Sequence, residues 1–416
     1  MFNSAVKRSK AHGAPGDGRN FAPVLRFAVC SDAHIQKPGD LRCQRMEQVI
    51  NFGYKTAQED PFYKALDGVM VVGDLTDNGT EEQFHAFFDT VRGAFKGETK
   101  LLAIVARNHD GYTLKKAAVP LYEKLSGSNS DSHVVINGYH FIGISTSRYK
   151  NERYGKYQKK WLREQLAEAA ADCPEKPIFV YHHEHVFSTV YGSYDYEGWG
   201  VPHFRSIMNK YPQIVHFSGH SHYPLNDPRS VWQKQFTAIG TGGLAYEEVT
   251  VGRDRTLHPE GFAQAAQGWI VEADANNRLR LRGFDVATGE WLCEYVMDDV
   301  VNPKNFAYTP AQQRSRSSAP KFPEGSALTA VKNEDGYTVT APAAVSTDGN
   351  IVFLYRLYVE DGKGKILHSE YVVNDYCNSR PRETVEFKIN ATAGSVVKAA
   401  AENAYGMQSE KLSLTL

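Results

Sequence analysis

The sequence predicts an α/β domain followed by a smaller, all-β domain, and three observations carry that expectation. Between residues 24 and 300, short apolar runs alternate with amphipathic stretches, as strands and helices do when they stack in layers. Residues 309–323 are polar and rich in proline and serine, which reads as a linker. Beyond them come short strand-like runs separated by turn signals, without helical periodicity. At 416 residues the chain is also too long for one ordinary core. The expected division is a loosely packed tail over 1–22, a first domain over 23–302, a linker over 303–322 and a β-sandwich over 323–416.

Each element has its own signal. Residues 25–30, 68–72, 101–106, 140–144, 178–181 and 214–217 are apolar runs of strand length. Residues 81–95 and 157–171 follow a helical period, and in the second Trp161, Leu162, Leu166 and Ala169 fall roughly on one face. Residues 232–238 and 269–284 hold strands without long helices between them, and Asn276-Asn277 reads as a hairpin turn. In the last domain, runs at 351–359 and 366–373 flank a turn at Asp361-Gly362, and 384–389, 395–401 and 412–416 complete a small sandwich.

Composition narrows the function classes. Lys+Arg 47 against Asp+Glu 48 leaves a formal net charge of -1, so no global positive field recruits nucleic acid or an anionic membrane. No apolar run approaches the roughly 18 residues of a membrane span. The basic N-terminus is followed by a polar, glycine-rich stretch and no apolar segment, so it does not read as a secretory signal. Cys30, Cys43, Cys173, Cys293 and Cys377 are odd in number and contain no Cys-x-x-Cys pair, which argues against a disulfide framework and favours a reducing, cytoplasmic setting.

Five motifs follow strand candidates, where ligands and catalytic groups of open α/β sheets collect. They are Asp32-Ala33-His34; Gly73-Asp74-Leu75-Thr76-Asp77-Asn78-Gly79; Asn108-His109-Asp110; His182-His183-Glu184-His185; and Gly219-His220-Ser221-His222. Singly, the first three also read as ordinary turns, with Asn and Asp as turn formers, and a lone histidine reads more often as a satisfied structural group than as a ligand. Together they supply carboxylates, an amide and imidazoles, a donor set that suits manganese, iron, zinc or cobalt.

In this order the motifs resemble those of the calcineurin-like metallophosphoesterase family, over roughly residues 24–300. The resemblance implies a four-layer β-sandwich flanked by helices, holding two divalent or mixed-valence ions (Mn, Fe or Zn). It implies Asp32, His34 and His222 on one metal, Asn108, His182 and His220 on the other, and Asp74 bridging. His182 is matched over His183 as the first residue after the strand. His109 matches the family's catalytic histidine, the general acid at the leaving group, and Asp77 the carboxylate that orients it. The implied reaction is hydrolysis of a small-molecule phosphodiester, nucleotide-like in character, by a hydroxide held between the metals. A phosphomonoesterase or nucleotidase on the same site, or an inactive binding protein that keeps the fold, are the alternatives. The stretch 396–406 is similar to the last strands of fibronectin type III-like modules.

Two departures from the family pattern mark candidate substrate contacts. Arg107 stands where the family usually has glycine before Asn-His, and its guanidinium suits a phosphate. In His182-His183-Glu184-His185 many relatives carry proline after the histidines, and His183 and His185 are candidates to touch substrate or the metals' outer shell. Between the fourth and fifth motifs, Tyr191, Tyr194, Tyr196 and Trp199 sit on a glycine-rich loop, where rings could stack on a nucleobase or sugar. No stable nucleic-acid partner and no membrane association are expected.

Overall fold

The computed structural model describes residues 21–146, 154–194, 198–253 and 256–416. The tail expected over 1–22 and Tyr196 thus fall mostly or wholly outside the described residues. The chain divides into two compact units, the larger reaching Pro310 and the smaller comprising Ala311–Leu416 with the short Pro259–Gly261 stretch.

The larger unit is built on two six-stranded sheets. In the first, Pro23–Cys30, Gly68–Val71 and Lys100–Ala103 run parallel, and Gln267–Asp274, Leu279–Asp285 and Glu290–Met297 extend it antiparallel. In the second, Tyr139–Ile144, Ile178–His182, Ile214–Ser218 and Thr237–Gly240 run parallel, with Ser132–Ile136 and Val231–Gln233 at the edges. The parallel strands Gly68–Val71, Tyr139–Ile144, Ile178–His182 and Ile214–Ser218 are mainly apolar runs buried on both faces, as sheets covered on both sides require.

Three hydrophobic clusters use those faces. One joins Phe27 and Val29 of the first sheet to Phe141, Phe179 and Phe217 of the second, with Phe27 edge-on to Phe179 at 4.9 Å. A second joins Val69, Val71 and Ile270 to the helices Leu41–Glu59, Glu81–Ala94 and Ala118–Ser126. The third joins Ile142, Ile178, Val180 and Ile214 to Leu162 and Leu166 of the helix Lys156–Asp172. Helix Leu41–Glu59 starts where the Asp40 carboxylate accepts from Cys43 N, and buries Cys43, Met46, Val49, Ile50 and Ala57 at helical spacing. That helix and the strands Ser132–Ile136 and Glu290–Met297 had no separate expectation from the sequence.

One charged group is buried among these elements. Arg26 is fully buried, with Nε donating to Glu272 at 2.8 Å and a terminal nitrogen to Asp60 at 2.8 Å. Arg280 and Arg282 reach the other Glu272 oxygen at 2.7 and 3.1 Å. Burial pushes the Glu272 carboxyl up, but the surrounding arginines outweigh it and hold it below its ordinary range.

The structure moves the end of the first domain. Phe306 and Tyr308 are buried, and Tyr308 packs in the inter-sheet cluster with its hydroxyl donating to Val296 O at 2.9 Å. A polar, proline-bearing composition hid these two anchors, and the helix Pro310–Arg316 occupies part of the stretch read as linker.

The smaller unit has a three-stranded sheet (Thr329–Asn333, Gly336–Pro342, Thr384–Ile389) and a four-stranded sheet (Ile366–Val373, Val352–Glu360, Val396–Asn403, Leu412–Thr415). Val339, Val385 and Phe387 of the first meet Tyr355, Leu357, Val397 and Ala399 of the second in one cluster. Among the described residues, no helix is long and apolar enough to cross a membrane.

Candidate metal centre

The loops that follow the first two parallel strands continue to pair after the strands end. Asp32 N donates to Gly73 O, His34 N to Asp74 O and Ile35 N to Leu75 O, at 3.0–3.2 Å. The two motif segments are therefore fixed to each other by backbone, and not by their side chains alone. Leu244 N and Ala245 N donate to the carbonyls of Ser31 and Asp32, and Gly219 N to His183 O, tying in the loops of the second sheet.

Asp32, His34, Asp74, His220 and His222 all hold left-handed backbone, with φ of 53, 47, 49, 71 and 54°. A non-glycine residue rarely adopts this conformation, and Asp and His are among those that tolerate it best. Two glycines make room for the side chains. A Cβ on Gly219 would stand 2.4 Å from Asp32 Oδ2, and one on Gly73 2.6 Å from His183 Nδ1.

Two groups of ligand atoms converge. Asp32, His34 and His222 form one, with His222 Nε2 3.3 Å from Asp32 Oδ1 and 3.2 Å from His34 Nε2. Asp74, His183 and His220 form the other, with His183 Nε2 3.1 Å from Asp74 Oδ2. Asp74 Oδ2 also lies 3.9 Å from His34 Nε2, so its carboxylate stands between the groups. Asn108 joins the second group, its Nδ2 2.7 Å from Asp74 Oδ2 and 3.4 Å from His220 Nδ1.

The fourth motif corrects the sequence reading. His183, and not His182, enters the cluster. The strand runs through His182, which shares the outer face with Ile178 and Val180. There its Nδ1 bonds His216 Nε2, and its ring packs edge-on to Phe204 at 5.1 Å. His183 is one residue further on, and its Nδ1 bonds the Val72 carbonyl at 2.8 Å, which turns Nε2 inward.

Asp77 differs from its expected part as well. Its backbone carbonyl, and not its carboxylate, accepts from His109 Nδ1 at 2.8 Å. The carboxylate instead lies 3.6 Å from His34 Nδ1 and 3.2 Å from the Arg42 guanidinium, and the His34 imidazole holds it down near pKa 2. His109 stands edge-on to His34 with ring centres 4.1 Å apart, at the rim of the cluster.

The expected substrate contacts divide. Arg107 is exposed and is not among the residues with positive φ, so an arginine here carries no left-handed strain. His185 is buried, with one ring nitrogen on Ser218 Oγ and the other on Ser221 Oγ, both at 2.8 Å, which braces the fifth motif. Tyr191 is buried, its hydroxyl donating to Thr250 O at 2.7 Å and its ring under Arg229 at 3.8 Å, so it is occupied by packing. Tyr194 is exposed. Trp199 stands edge-on to His220 at 4.9 Å, at the cluster's side.

Three contributors carried no assigned part in the sequence reading. Asp110 is fully buried and accepts from Thr76 N and Oγ1 and from Ala106 N, pinning the third motif to the second. Ser31 Oγ donates to Asp32 Oδ2. Tyr246 stacks on His222 at 4.2 Å and accepts from its Nδ1 through the backbone carbonyl at 3.1 Å. Asp110 was visible beside His109, whereas nothing around Tyr246 marks it, since the fold brings it from outside the five motifs.

The electrostatics favour a cation. Burial pushes Asp32 and Asp74 up, but the imidazoles beside them outweigh it and hold both down. Burial pulls His183 down, yet the Asp74 carboxylate beside it raises it to about 10. Asp32 Oδ1, Asp74 Oδ1 and His183 Nε2 are buried without a hydrogen-bond partner. Two buried carboxylates, each left with an oxygen that takes no hydrogen bond and set among imidazole nitrogens, fit metal ions.

Comparison with known proteins gives this arrangement a family. Residues 25–224 match the family model for calcineurin-like phosphoesterases. That segment, just under half of the chain, is similar to the calcineurin-like phosphoesterases. The family's members are phosphoric ester hydrolases and typically use a dinuclear metal centre. The chain is 25% identical over 203 residues to a probable glycerophosphodiester phosphodiesterase GpdQ of Arcobacter nitrofigilis, covering 46% of this chain and 70% of that protein. Among solved structures it is similar to the purple acid phosphatase PPD1 of yellow lupin (15% identity, TM-score 0.46), covering 66% of this chain and 54% of the lupin chain. It is also similar to the phosphopantetheinyl hydrolase PptH of Mycobacterium tuberculosis (14% identity, TM-score 0.30), over 53% of this chain and 90% of that one.

Proposed function

We propose that the chain is a two-metal phosphodiesterase. Asp32, His34 and His222 would hold one ion and Asn108, His183 and His220 the other, with Asp74 shared between them. The observation that carries the reading is the pair of buried carboxylates, Asp32 and Asp74, each with an Oδ1 that takes no hydrogen bond among the described residues, and with imidazole nitrogens gathered round Asp32 Oδ1 and Asp74 Oδ2. As placed, Asn108 gives its amide N–H to Asp74. An ion would be met by Oδ1 after a half-turn of the amide, an assignment that its partners decide. Bound there, divalent ions supply Lewis acidity to the phosphate oxygens and to the attacking water.

The chain's own residues handle the proton at the leaving oxygen. The Asp77 carbonyl can only accept, so His109 Nδ1 carries a hydrogen and Nε2 is the atom left to deliver a proton. Trp199 and Tyr246 flank the cluster beside His220 and His222, and would exclude water from the far side of the ester. The diester preference rests on the likeness to the probable glycerophosphodiester phosphodiesterase. The clusters on both faces of the two sheets support reading the larger unit as the four-layer fold. The seven strands around one cluster support reading the smaller unit as fibronectin type III-like.

The test is metal analysis of protein purified without chelator, with turnover of bis(p-nitrophenyl) phosphate and of p-nitrophenyl phosphate. About two ions per chain and faster diester turnover, both lost in Asp74→Asn, are expected. Absence of metal after reconstitution overturns the centre; monoester preference overturns the substrate class alone.

A further inference from the structure

A second set of ligand-type side chains lies at the opposite end of the second sheet, at the amino ends of its parallel strands. His133 Nδ1 is 2.8 Å from Gln165 Oε1, and His133 Nε2 is 2.7 Å from His140 Nδ1. His140 Nε2 lies 2.9 Å from Asp172 Oδ2, and Cys173 Sγ stands 3.4 Å from that same oxygen. The imidazole nitrogen, the carboxylate oxygen and the thiol sulfur are all within 4.8 Å of one another.

We propose that His140, Asp172 and Cys173 form a separate site for one divalent cation of the zinc type. The three donors are an imidazole, a carboxylate and a thiol, the mixture that borderline-soft ions take. A tetrahedral ion with such bonds sets its donors roughly 3.3–3.6 Å apart, a spacing that Cys173 Sγ and Asp172 Oδ2 already hold at 3.4 Å and that the His140–Asp172 pair at 2.9 Å reaches by opening slightly. His140 is buried and its Nδ1 is engaged by His133, so Nε2 alone can meet an ion, and Gln165 fixes the second ring in turn. Asp172 is 64% exposed, which leaves room for a water at the fourth position and an entry path from solvent. Burial and the Asp172 carboxylate push the Cys173 thiol up, with the nearby Lys176 ammonium pulling the other way, so the thiol keeps its proton until an ion displaces it. Binding forms three bonds to the ion: His140 Nε2 joins as a neutral nitrogen while Nδ1 keeps the ring hydrogen on His133, and the Cys173 thiol proton leaves to solvent.

The centre around Asp32 and Asp74 contains no cysteine, which makes the two sites separable by spectroscopy. The experiment loads full-length protein with cobalt(II) and records its absorption spectrum and metal content. A thiolate-to-cobalt charge-transfer band is expected, with about one ion beyond those of the carboxylate centre. Cys173→Ser, a near-isosteric change at a partly exposed position, should abolish the band and lose that ion while diester turnover is unchanged. His140→Ala should do the same, and Cys43→Ser should leave the band intact. No band after loading, or a band that survives Cys173→Ser, overturns the site whatever the fate of the diesterase activity.

Discussion

His109 hangs from the Asp77 carbonyl by Nδ1, a bond that fixes its tautomer and aims Nε2 at the cluster rim. His109→Ala should lower kcat for the diester by about 10²–10⁴-fold with metal content retained, as read by paired kinetics and elemental analysis. His183→Ala should lose metal and activity together. His182→Ala should keep its metal and lower Tm instead, because His182 is a core histidine against Phe204 and His216. Elemental analysis of the two variants separates them, and metal loss in His182→Ala alone would reverse the assignment. The reason the sequence misled here is specific. The apolar run stops at Tyr181, so His182 looks like the first residue past the strand, yet the strand takes in one residue more. The two-residue alternation of that strand, with Ile178 and Val180 on the outer face, was the signal that could have placed His182 with them. Asp32, His34, Asp74, Asn108, His220 and His222 were legible because the motifs that carry them follow apolar runs in one characteristic order, and for Asp74 because a carboxylate straight after a buried strand needs a compensating partner. Trp199, Tyr191 and Tyr246 were not separable by sequence, since what each touches comes from remote segments.

At the scale of elements, the strand Pro23–Cys30 is held at its amino end by Arg26 and at its carboxyl end by the motif loops. Glu272→Gln removes the one carboxylate shared by Arg26, Arg280 and Arg282 and should cost about 3–5 kcal/mol, measured by urea unfolding. Because the native Glu272 pKa is depressed, its contribution is present above the unfolded value of about 4.3 and drains as pH falls through the native one. The wild-type advantage over the variant should therefore shrink in acid. Gly219→Ala would drive a methyl into Asp32 and should cost about 1–3 kcal/mol and lower activity on the order of 10²-fold. Strands and helices with strong periods were readable. Ser132–Ile136 was not, because it is an edge strand with only Ile136 buried and so lacks the apolar run that marks the inner strands.

For the molecule as a whole, the described residues divide into two compact units, each with a hydrophobic core of its own. Calorimetry should accordingly give a van't Hoff enthalpy below the calorimetric one, since each core can melt without the other. Chelation should lower the temperature of the transition that abolishes turnover and leave the second where it was, by the mass-action loss of a ligand that binds only folded protein. A single coincident transition would mean that the two units unfold as one. The left-handed backbone at Asp32, His34, Asp74, His220 and His222 reaches beyond mechanism, into what replacements the protein can accept. A cysteine or glutamate offered at these points has respectable coordination chemistry, yet neither shares the tolerance of Asp, Asn and His for that turn of the chain. Each position is thus spelled twice, once by the ion and once by the peptide, and a swap that satisfies only the first reading is rejected before any metal arrives.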